Sequence, residues 1–452
     1  MDVALLSRIQ FAITIGFHFL FPPITIGLAW LLLIVETLSL TTAKPVYDHI
    51  ARLFARLLGL TFAMGVATGI VMEFQFGTNW AAYSKYVGDI FGAPLAAEAI
   101  SAFFLESVFL GLYLFARDRI PKPWHWFSIL MVAIGSTLSA FWIIVANSWM
   151  QTPAGFEIRN GRAELTSFAA AVFNPSTIVR FNHTLAASLA TGAFFMAGAA
   201  AYLLLRNSRK NHPSDPLVIT LAHKALKISL FFALFTSILT AFPFGDQHAR
   251  QVARTQPEKF AAIEGIYHSQ TNAPLLIFAI PLSNPPRLLA PIGIPGLASR
   301  MAFGHPNALI QGIDAFPPDR IPPLFLTFVS FHNMVAIGLF LIALSAVAVS
   351  FLRRDALFTK RWLLWLLVVS VPLPLAACQL GWIVAEVGRQ PWIVYHQMLT
   401  ASAFSTVLTP AHVLFSLILF SALYLLLLAL YLFVLFHKLH HPNLPHPCPL
   451  TP

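Results

Sequence analysis

Long apolar stretches separated by short polar connections dominate the hydrophobic pattern of this chain. A helix needs about 20 apolar residues to cross a bilayer, and nine stretches are close to this length or longer. They lie near 12–37, 52–74, 95–116, 126–146, 182–206, 220–243, 324–351, 362–384 and 413–436. The alternating ten-residue segments of a transmembrane β-barrel and the periods of solenoid repeats are not found in the sequence. The pattern predicts an all-α polytopic membrane protein with nine transmembrane helices.

Composition agrees with a chain whose solvent is a bilayer. Of the 452 residues, 58% are hydrophobic and 10% are charged, whereas soluble proteins carry roughly 25% charged residues. So few charges exclude a cytosolic enzyme, a disordered protein and a secreted disulfide scaffold. The two cysteines, Cys378 and Cys448, form neither a disulfide framework nor a metal pattern. No removable signal peptide is predicted beside Arg8, because no small-residue cleavage site follows.

Basic residues concentrate in alternate short loops and predict the orientation of the chain. These residues are Lys44; Arg117, Arg119 and Lys122; Arg206, Arg209 and Lys210; Arg353, Arg354, Lys360 and Arg361. The positive-inside rule places the N-terminus outside and the C-terminus in the cytoplasm. The predicted order is then helices 1–6 in 1–243, an outer loop in 244–323, helices 7–9 in 324–436 and a cytoplasmic tail in 437–452. The outer loop is long enough to be functional, and a short helix is predicted in it at 257–267.

Ionisable side chains inside the apolar stretches are costly, so each is a functional candidate. The candidates are His18, Glu98, Glu106, His183, His332 and Glu386, with Met334 as a soft possible ligand. We expect His18 a few residues into its span, and Glu98 and His183 within the first turn or so of theirs. Met334 is expected about ten residues into helix 7 and Glu386 at the outer end of helix 8. Such positions would place all these groups in the outer half of the membrane, which predicts one site or several adjacent ones.

Histidine, methionine and carboxylate side chains in a helical bundle suit haem iron better than other cofactors. Low-spin haem takes His with His or Met, and bundles build such sites from facing helices. The sequence has no thiol cluster and no zinc motif. Simpler interpretations remain open, since each His can be a packed residue, Met334 can fill space, and Glu386 can pair with Arg389 at i, i+3. His332 and Met334 lie about 200° apart on a helix, so only one can face a given haem.

Five longer motifs resemble one family along nearly the whole chain, up to about residue 435. They are SRIQFAITIGFHFLF (7–21), ATGIVMEFQFGTNW (67–80), YVGDIFGAPLAAEAISAFFLES (86–107), LSAFWIIVANSWMQTP (138–153) and GWIVAEVGRQPW (381–392). These strings are similar to subunit I of cytochrome bd-type quinol oxidases, in the branch with a short quinol loop. The resemblance implies oxidation of membrane quinol at the outer face and reduction of O₂ to water. Proton uptake from the inner side would generate proton-motive force without pumping.

The same resemblance implies cofactors and their ligands, position by position. Two haem b groups, one low-spin and one high-spin, are expected with one haem d or a third haem b in its place. The implied ligands are His183 and Met334 for the low-spin haem, and His18 and Glu386 for the high-spin haems. The other implied roles are Glu98 beside the oxygen-reducing haem; Glu106, Ser107 and Ser139 in a proton route; Lys259 and Glu264 at the quinol; and Arg389 and Trp382 packed among the haems.

The resemblance also implies partners and a location. A second multi-span subunit, subunit II, and small single-span accessory subunits are expected in a bacterial cytoplasmic (inner) membrane, with quinol and O₂ as substrates and no nucleic acid. One departure from the family pattern is His332, where relatives tend to have Arg, and its role is left open.

Two other classes of protein compete with a quinol oxidase. A secondary transporter would use the three glutamates as proton-coupled ligands, but it would place them near the midplane, at broken helices and inverted repeats. A b-type cytochrome without O₂ chemistry would need paired His ligands at both depths, and the spans hold too few His residues for that.

Overall fold

The computed structural model describes residues 2–207, 215–283, 286–352 and 356–442. Within these ranges, nine helical spans are long and apolar enough to cross a membrane, which confirms the predicted fold class. Spans 1–9 are Val3–Thr42, Pro45–Thr78, Ala81–Phe115, Lys122–Gln151, Thr177–Asn207, Pro216–Thr255, Leu324–Leu352, Arg361–Val387 and Pro410–His440. The predicted orientation stays a prediction. Outside the described ranges lie Arg209, Lys210, Arg353, Arg354, Cys448 and residues 443–452 of the predicted tail.

Four of the nine spans are interrupted helices. Span 1 consists of Val3–His18 and Pro22–Thr42, and span 8 consists of Arg361–Val369 and Pro372–Val387. Proline at the first position of the second helix suits a new helix start, because its missing N–H is not needed there. Span 3 contains a π-helical turn, a feature that often marks functional sites, and span 6 is kinked at Phe242, whose backbone is extended. The segments are Ala81–Glu98, Ala99–Phe103 (π) and Phe104–Phe115 in span 3, and Pro216–Leu239, the kinked segment Thr240–Gly245 and Asp246–Thr255 in span 6.

The segments between the spans form short helices and three hairpins. The antiparallel pairs are β1 (Phe156–Arg159) with β2 (Arg162–Leu165), β3 (Leu275–Ser283) with β4 (Pro286–Ile294), and β5 (Trp392–Val394) with β6 (Met398–Leu399). The short helices are Phe168–Val172, Pro257–Glu264 and Leu297–Phe303, with 3₁₀ turns at Ile313–Ala315, Pro318–Arg320, Ala356–Thr359 and Thr400–Ser402. The helix predicted in the outer loop is confirmed, and it ends at Glu264.

Span 5 lies at the centre of the bundle, and span 9 at its periphery. Span 5 is almost wholly buried and packs against spans 1, 6 and 8, whereas span 9 is mostly exposed. Small residues allow this packing, as is common between membrane helices. A Cβ added to Gly192 would lie 2.5 Å from the backbone of Gly27, and one added to Gly27 would lie 2.6 Å from the backbone of Gly192. Spans 1 and 5 therefore touch backbone to backbone.

A methyl group at this crossing is expected to destabilise the bundle. Gly192→Ala should cost about 1–3 kcal/mol through overpacking, because backbone rather than a flexible side chain must move. Gly88→Ala is the matched control, since nothing lies within 4 Å of a Cβ added to Gly88 on span 3. We expect a lower thermal midpoint of the purified complex for Gly192→Ala alone. Equal midpoints for both variants would contradict the close crossing.

Candidate functional site

His18 and His183 are held in the same way, each by its Nδ1 atom. His18 Nδ1 lies 3.0 Å from Thr68 Oγ1, and the Thr68 hydroxyl itself donates to Met64 O at 2.8 Å. The Thr68 oxygen is thus an acceptor, and His18 donates from Nδ1. His183 Nδ1 donates to Thr240 O at 3.1 Å. Among the described residues neither Nε2 atom has a hydrogen-bond partner, which is how metal-ligating imidazoles are usually oriented.

One of these histidines ends a helix at an interruption, and the other is held by an interruption in a neighbouring span. His18 is the last residue of Val3–His18, and Thr240, the first residue of the kinked segment in span 6, holds His183. Around His18, a Cβ added to Gly69 would lie 3.1 Å from its Cε1 atom. Trp382 stacks edge-on against Phe19 with ring centroids 5.2 Å apart. The interruptions thus place both imidazoles, and Trp382 contacts Phe19, the residue that follows His18.

The expected positions of two candidates relative to the starts of their spans are wrong. His18 lies fifteen residues after Val3, about 22 Å along the helix axis, and Glu98 lies seventeen residues after Ala81, about 26 Å along. The spans start earlier than the apolar stretches because polar residues such as Lys85 and Asp89 continue the helix of span 3. His183 is on the second turn of its span, close to its predicted place. The location of the candidate side chains in the outer half of the membrane stays a prediction.

Met334 and His332 face different neighbours. The Met334 Sδ atom would lie 3.1 Å from a Cβ on Gly381, so this side chain faces span 8. Both His332 nitrogens lie near backbone oxygens instead: Nδ1 is 2.9 Å from Phe328 O and Nε2 is 3.1 Å from Leu276 O. This arrangement favours Met334 over His332 as the ligand on span 7.

Glu386 lies in a network of polar side chains that joins three spans. Its Oε1 accepts a hydrogen bond from Asn147 at 3.0 Å, and its Oε2 forms an ion pair with Arg389. Asn147 in turn accepts from Arg180 at 2.5 Å. The i, i+3 ion pair considered from the sequence is therefore present. Because a carboxylate has about four lone-pair sites, this pairing leaves capacity for a metal on Glu386.

Buried donors without acceptors surround this network. Arg389 Nε and NH1 and the Trp392 indole nitrogen have no hydrogen-bond partner among the described residues, although Arg389 is buried. An unsatisfied buried donor costs about 1–3 kcal/mol, and more when it is charged. A haem propionate would supply the missing acceptors, since guanidinium binds carboxylates strongly. Together with the two free imidazole Nε2 atoms, these donors fit haem as the bound group.

The predicted quinol pair lies buried on the helix Pro257–Glu264. Lys259 Nζ donates to Ala385 O at 2.9 Å and Gln151 Oε1 at 3.0 Å, beside Glu386. Burial lowers the pKa of Lys259. Glu264 is buried with its Oε2 unpartnered among the described residues, and this burial raises the pKa of Glu264 from 4.5 to about 7. The helix thus presents a carboxyl group that can bind and release a proton near neutral pH.

Glu98 and Glu106 contact one face of span 4. Ser139 donates to Glu98 Oε1 at 2.7 Å, and a Cβ on Gly135 would lie 2.9 Å from Glu106 Cβ. Gly135 and Ser139 are one turn apart, so both carboxyl groups lie along the same helix face. The π-helical turn Ala99–Phe103 separates them and holds about one residue more than an α-helical turn. Eight residues therefore make about two turns, which turns both carboxyl groups to one side.

Ser107 bonds to its own helix and not to Glu98 or Glu106, the carboxyl groups that a proton route would connect. Its hydroxyl donates to Phe103 O at 2.5 Å on its own helix. No described contact joins it to Glu98 or Glu106, and its predicted role stays a prediction.

A second polar network, at the other end of the bundle, was not among the sequence candidates. Tyr113 donates to Glu36 at 3.0 Å, and Arg117 forms an ion pair with Glu36 at 2.8 Å. His125 Nε2 lies 2.9 Å from Tyr113 O. His125 and Asn147 are twenty-two residues apart on span 4, about 33 Å along the helix. The Glu36 and Glu386 networks therefore lie at opposite ends of the bundle.

Several ionisable residues at the two ends of the bundle were missed because hydropathy placed them outside, or at the ends of, the predicted spans. They are Glu36, Glu73, His125, Arg180 and His248. The ring of His248 lies 5.5 Å from that of His183, and Arg180 contacts Asn147. The helix Asp246–Thr255, which carries His248, was read as loop. Extending each predicted helix by one or two turns into the polar residues at its ends would have included most of these residues.

A membrane bundle with half-buried imidazoles whose Nε2 atoms are free of partners in the described part of the chain, and with an acid pair between two polar ends, is typical of a haem-dependent redox protein. Comparison with known proteins identifies the family. The family model described as "Cytochrome bd terminal oxidase subunit I" matches residues 6–442. The chain belongs to this family, and it is therefore subunit I of a haem-containing quinol oxidase that serves as a terminal oxidase.

Individual relatives match over almost their whole length. The chain is 37% identical to cytochrome bd ubiquinol oxidase subunit 1 of Bacillus subtilis, over 97% of this chain and 94% of the relative. It is 38% identical to cytochrome bd-II ubiquinol oxidase subunit 1 of Escherichia coli, over 94% of each. The bd oxidase structure from Geobacillus thermodenitrificans superposes with a TM-score of 0.90 at 34% identity, covering 98% of this chain and 99% of that one.

Proposed function

We propose that this subunit oxidises membrane quinol at the end of the bundle that carries Glu264 and reduces O₂ with protons drawn from the opposite end. The observation that carries the proposal is Glu264, a buried carboxyl group with an unpartnered oxygen on the helix Pro257–Glu264. The basic loop with Arg117, Arg119 and Lys122 supports an inner location for the Glu36 network. The Glu264 end is then the outer end.

Quinol oxidation needs a base that accepts a hydroxyl proton. The Glu264 carboxylate accepts this proton from the bound quinol and releases it to the outer side. Lys259 is anchored to Ala385 and Gln151, so it positions the quinol ring rather than moving with it. Ubiquinol and menaquinol both carry the hydroxyl that this chemistry requires.

His183 and Met334 would hold the low-spin haem, and His18 and Glu386 the two high-spin haems. Bound haem would supply the chemistry of electron transfer and O₂ reduction. The Nδ1 hydrogen bonds of His18 and His183 fix the tautomer in which Nε2 is the free ligand atom. The unpartnered donors of Arg389 would bind a propionate, and Trp382 would pack beside a haem near His18. The haem content follows as two haem b and one haem d, or a third haem b.

Protons for water formation come from the Glu36 end. Tyr113 and Glu106 are seven residues apart on one helix and so share a face. This face leads from the Glu36 network to Glu106, and onward to Glu98 with Ser139. A proton moved outward from the inner side, against the membrane potential, stores about 2.3 kcal/mol per charge per 100 mV. Opposite locations for quinol oxidation and proton uptake thus generate proton-motive force without a pump.

The assembly follows from the same proposal. The chain works with subunit II, and single-span accessory subunits can cover part of its lipid-facing surface, in the bacterial cytoplasmic membrane. The predicted units, 1–243, 244–323, 324–436 and 437–452, would serve as helix bundle, quinol loop, helix bundle and cytoplasmic tail.

Glu264→Gln is expected to lower kcat/KM for quinol by at least about 100-fold, since it removes the general base. The folded-state pKa of Glu264 is raised from 4.5 to about 7, so the proton-accepting form predominates only above about pH 7. Quinol oxidation by the unmodified oxidase should therefore rise with pH through about 7, and the variant should lack this rise. Stopped-flow reduction of the haems by quinol across this pH range measures both effects.

Glu258→Gln is the matched control for Glu264. It removes another buried carboxylate from the same helix, one that already bonds to Tyr395 and His396. Chemical reduction of the haems should stay normal in both variants. Unchanged quinol kinetics in Glu264→Gln would remove Glu264 from the mechanism.

A further inference from the structure

The β3–β4 hairpin exposes apolar side chains along both of its strands. Ile277 and Phe278, which are neighbours on β3, are 64% and 51% exposed, and Ile292 and Ile294 on β4 are 60% and 48% exposed. The strand register shifts between Leu276 and Phe278, and Leu276 and Ala279 are buried. A hairpin that packs on a protein with one side and faces water with the other normally keeps the exposed side polar. Something apolar must therefore cover this hairpin.

Charge is nearly absent from the hairpin. Arg287, at the turn end of β4, is its single charged residue between 275 and 294. The β1–β2 hairpin provides the contrast within the same chain, because it carries Glu157, Arg159, Arg162 and Glu164 over a similar two-stranded frame. The charged β1–β2 hairpin suits contact with water, whereas the apolar β3–β4 hairpin suits an apolar environment.

The hairpin lies along span 7 and contacts residues of the first turns of that helix, after its first residue, Leu324. His332 Nε2 contacts Leu276 O at 3.1 Å, and Leu276 and Ala279 pack with Phe328. His332 is eight residues after Leu324, about 12 Å along the helix. Over this length span 7 exposes its own apolar side chains, such as Phe325. Exposed apolar residues of a membrane span face lipid, so the exposed surface of the hairpin continues a lipid-facing surface.

We propose that the β3–β4 hairpin is seated in the adjoining lipid leaflet, with acyl chains as the occupant of its apolar surface. Its open strand edges need hydrogen-bond partners, which excludes the hydrocarbon centre. The hairpin lies at the interface between headgroups and acyl chains, where amphipathic elements sink about 5–10 Å. Arg287, at the turn, reaches the phosphate layer. This proposal is independent of the role of Glu264.

The seated hairpin also forms a wall of the Glu264 region. Leu288 Cδ2 and Phe328 Cε2 would lie 3.2 and 2.9 Å from a Cβ on Gly265, the residue after Glu264. Gly265 adopts a left-handed conformation with φ of 65° and ends the helix Pro257–Glu264. A hairpin held in lipid thus fixes the end of that helix against span 7.

Spin labelling of the complete oxidase in phosphatidylcholine–phosphatidylglycerol nanodiscs tests the proposal. Ile277→Cys and Ile292→Cys place a nitroxide on each strand, in a background in which Cys448 is serine. Ile158→Cys is the matched control, an exposed isoleucine on the charged β1–β2 hairpin. Lipid-soluble O₂ and the water-soluble complex NiEDDA are the two relaxing agents.

We expect the ratio of O₂ to NiEDDA accessibility to be several-fold higher at positions 277 and 292 than at position 158. A ratio equal to that of the control would show that the hairpin lies in water, and it would overturn the proposal. Low accessibility to both agents would show that protein covers it, with the same consequence. Haem content and quinol oxidase activity of each variant confirm that the labelled complex is folded, and the two strands give independent measurements.

Discussion

His183→Ala is expected to remove one haem from the assembled oxidase and leave the others bound. The imidazole donates from Nδ1 to Thr240 O, and its Nε2 atom has no hydrogen-bond partner among the described residues. Alanine leaves no ligand atom at this position, so the low-spin haem would lose one of its two proposed ligands. Pyridine haemochrome analysis should show one haem less per complex, and the reduced spectrum should lack the low-spin bands. Quinol oxidation should be abolished, because electrons then have no acceptor near the quinol.

Two variants of span 7 decide which side chain completes this ligation. Met334→Ala should reproduce the spectral loss of His183→Ala, because the Met334 sulfur faces Gly381 on span 8. His332→Ala should keep the low-spin bands, since both His332 nitrogens already lie near backbone oxygens. The opposite result would move the ligand from Met334 to His332. Retention of every haem in His183→Ala would reject that ligand altogether.

Apolar length predicted the nine spans, because it is a strong signal in a membrane protein. The ionisable residues inside the spans gave part of the candidate site, whereas the quinol pair Lys259 and Glu264 came from the family resemblance alone. Apolar length could not locate the interruptions in the helices. Residues 19–21 are Phe, Leu and Phe, and they continue the apolar run through the break that places His18. The π-helical turn Ala99–Phe103 has no composition signal either, yet it orients Glu98 relative to Glu106. Local geometry of this kind depends on packing between spans.

Contacts between distant parts of the chain were equally inaccessible. The sequence spacing indicated that Glu386 could pair with Arg389, and this pair is present. It gave no indication that Asn147, 239 residues away, would donate to the same carboxylate. The β3–β4 hairpin was missed as well, because its strands lack polar alternation and contain Pro281 and Pro291, which argue against strands in a single sequence.

Glu106→Gln is expected to stop O₂ reduction while leaving quinol binding intact. Glu106 is buried between the Glu36 network and Glu98, so protons that move along this helix face must pass its carboxyl group. Glutamine keeps the shape of the side chain but cannot take up and release a proton. Loss of a positioned proton carrier lowers turnover by about 100-fold or more. Steady-state O₂ uptake measures this loss, and anaerobic reduction of the haems by quinol should stay near that of the unmodified oxidase.

Asp89→Asn is the matched control for Glu106→Gln. Asp89 lies on the same span, and its carboxylate accepts from the Leu165 backbone N–H at 2.7 Å, away from the acid pair. A general effect of charge loss on span 3 would slow both variants, whereas a proton route through Glu106 slows only one. Glu98→Gln should resemble Glu106→Gln, because Glu98 contacts the same face of span 4 as Glu106 does. Normal O₂ uptake in both glutamine variants would leave the Glu36 network without a path to the oxygen site, and the direction of proton uptake argued from it would have to be abandoned.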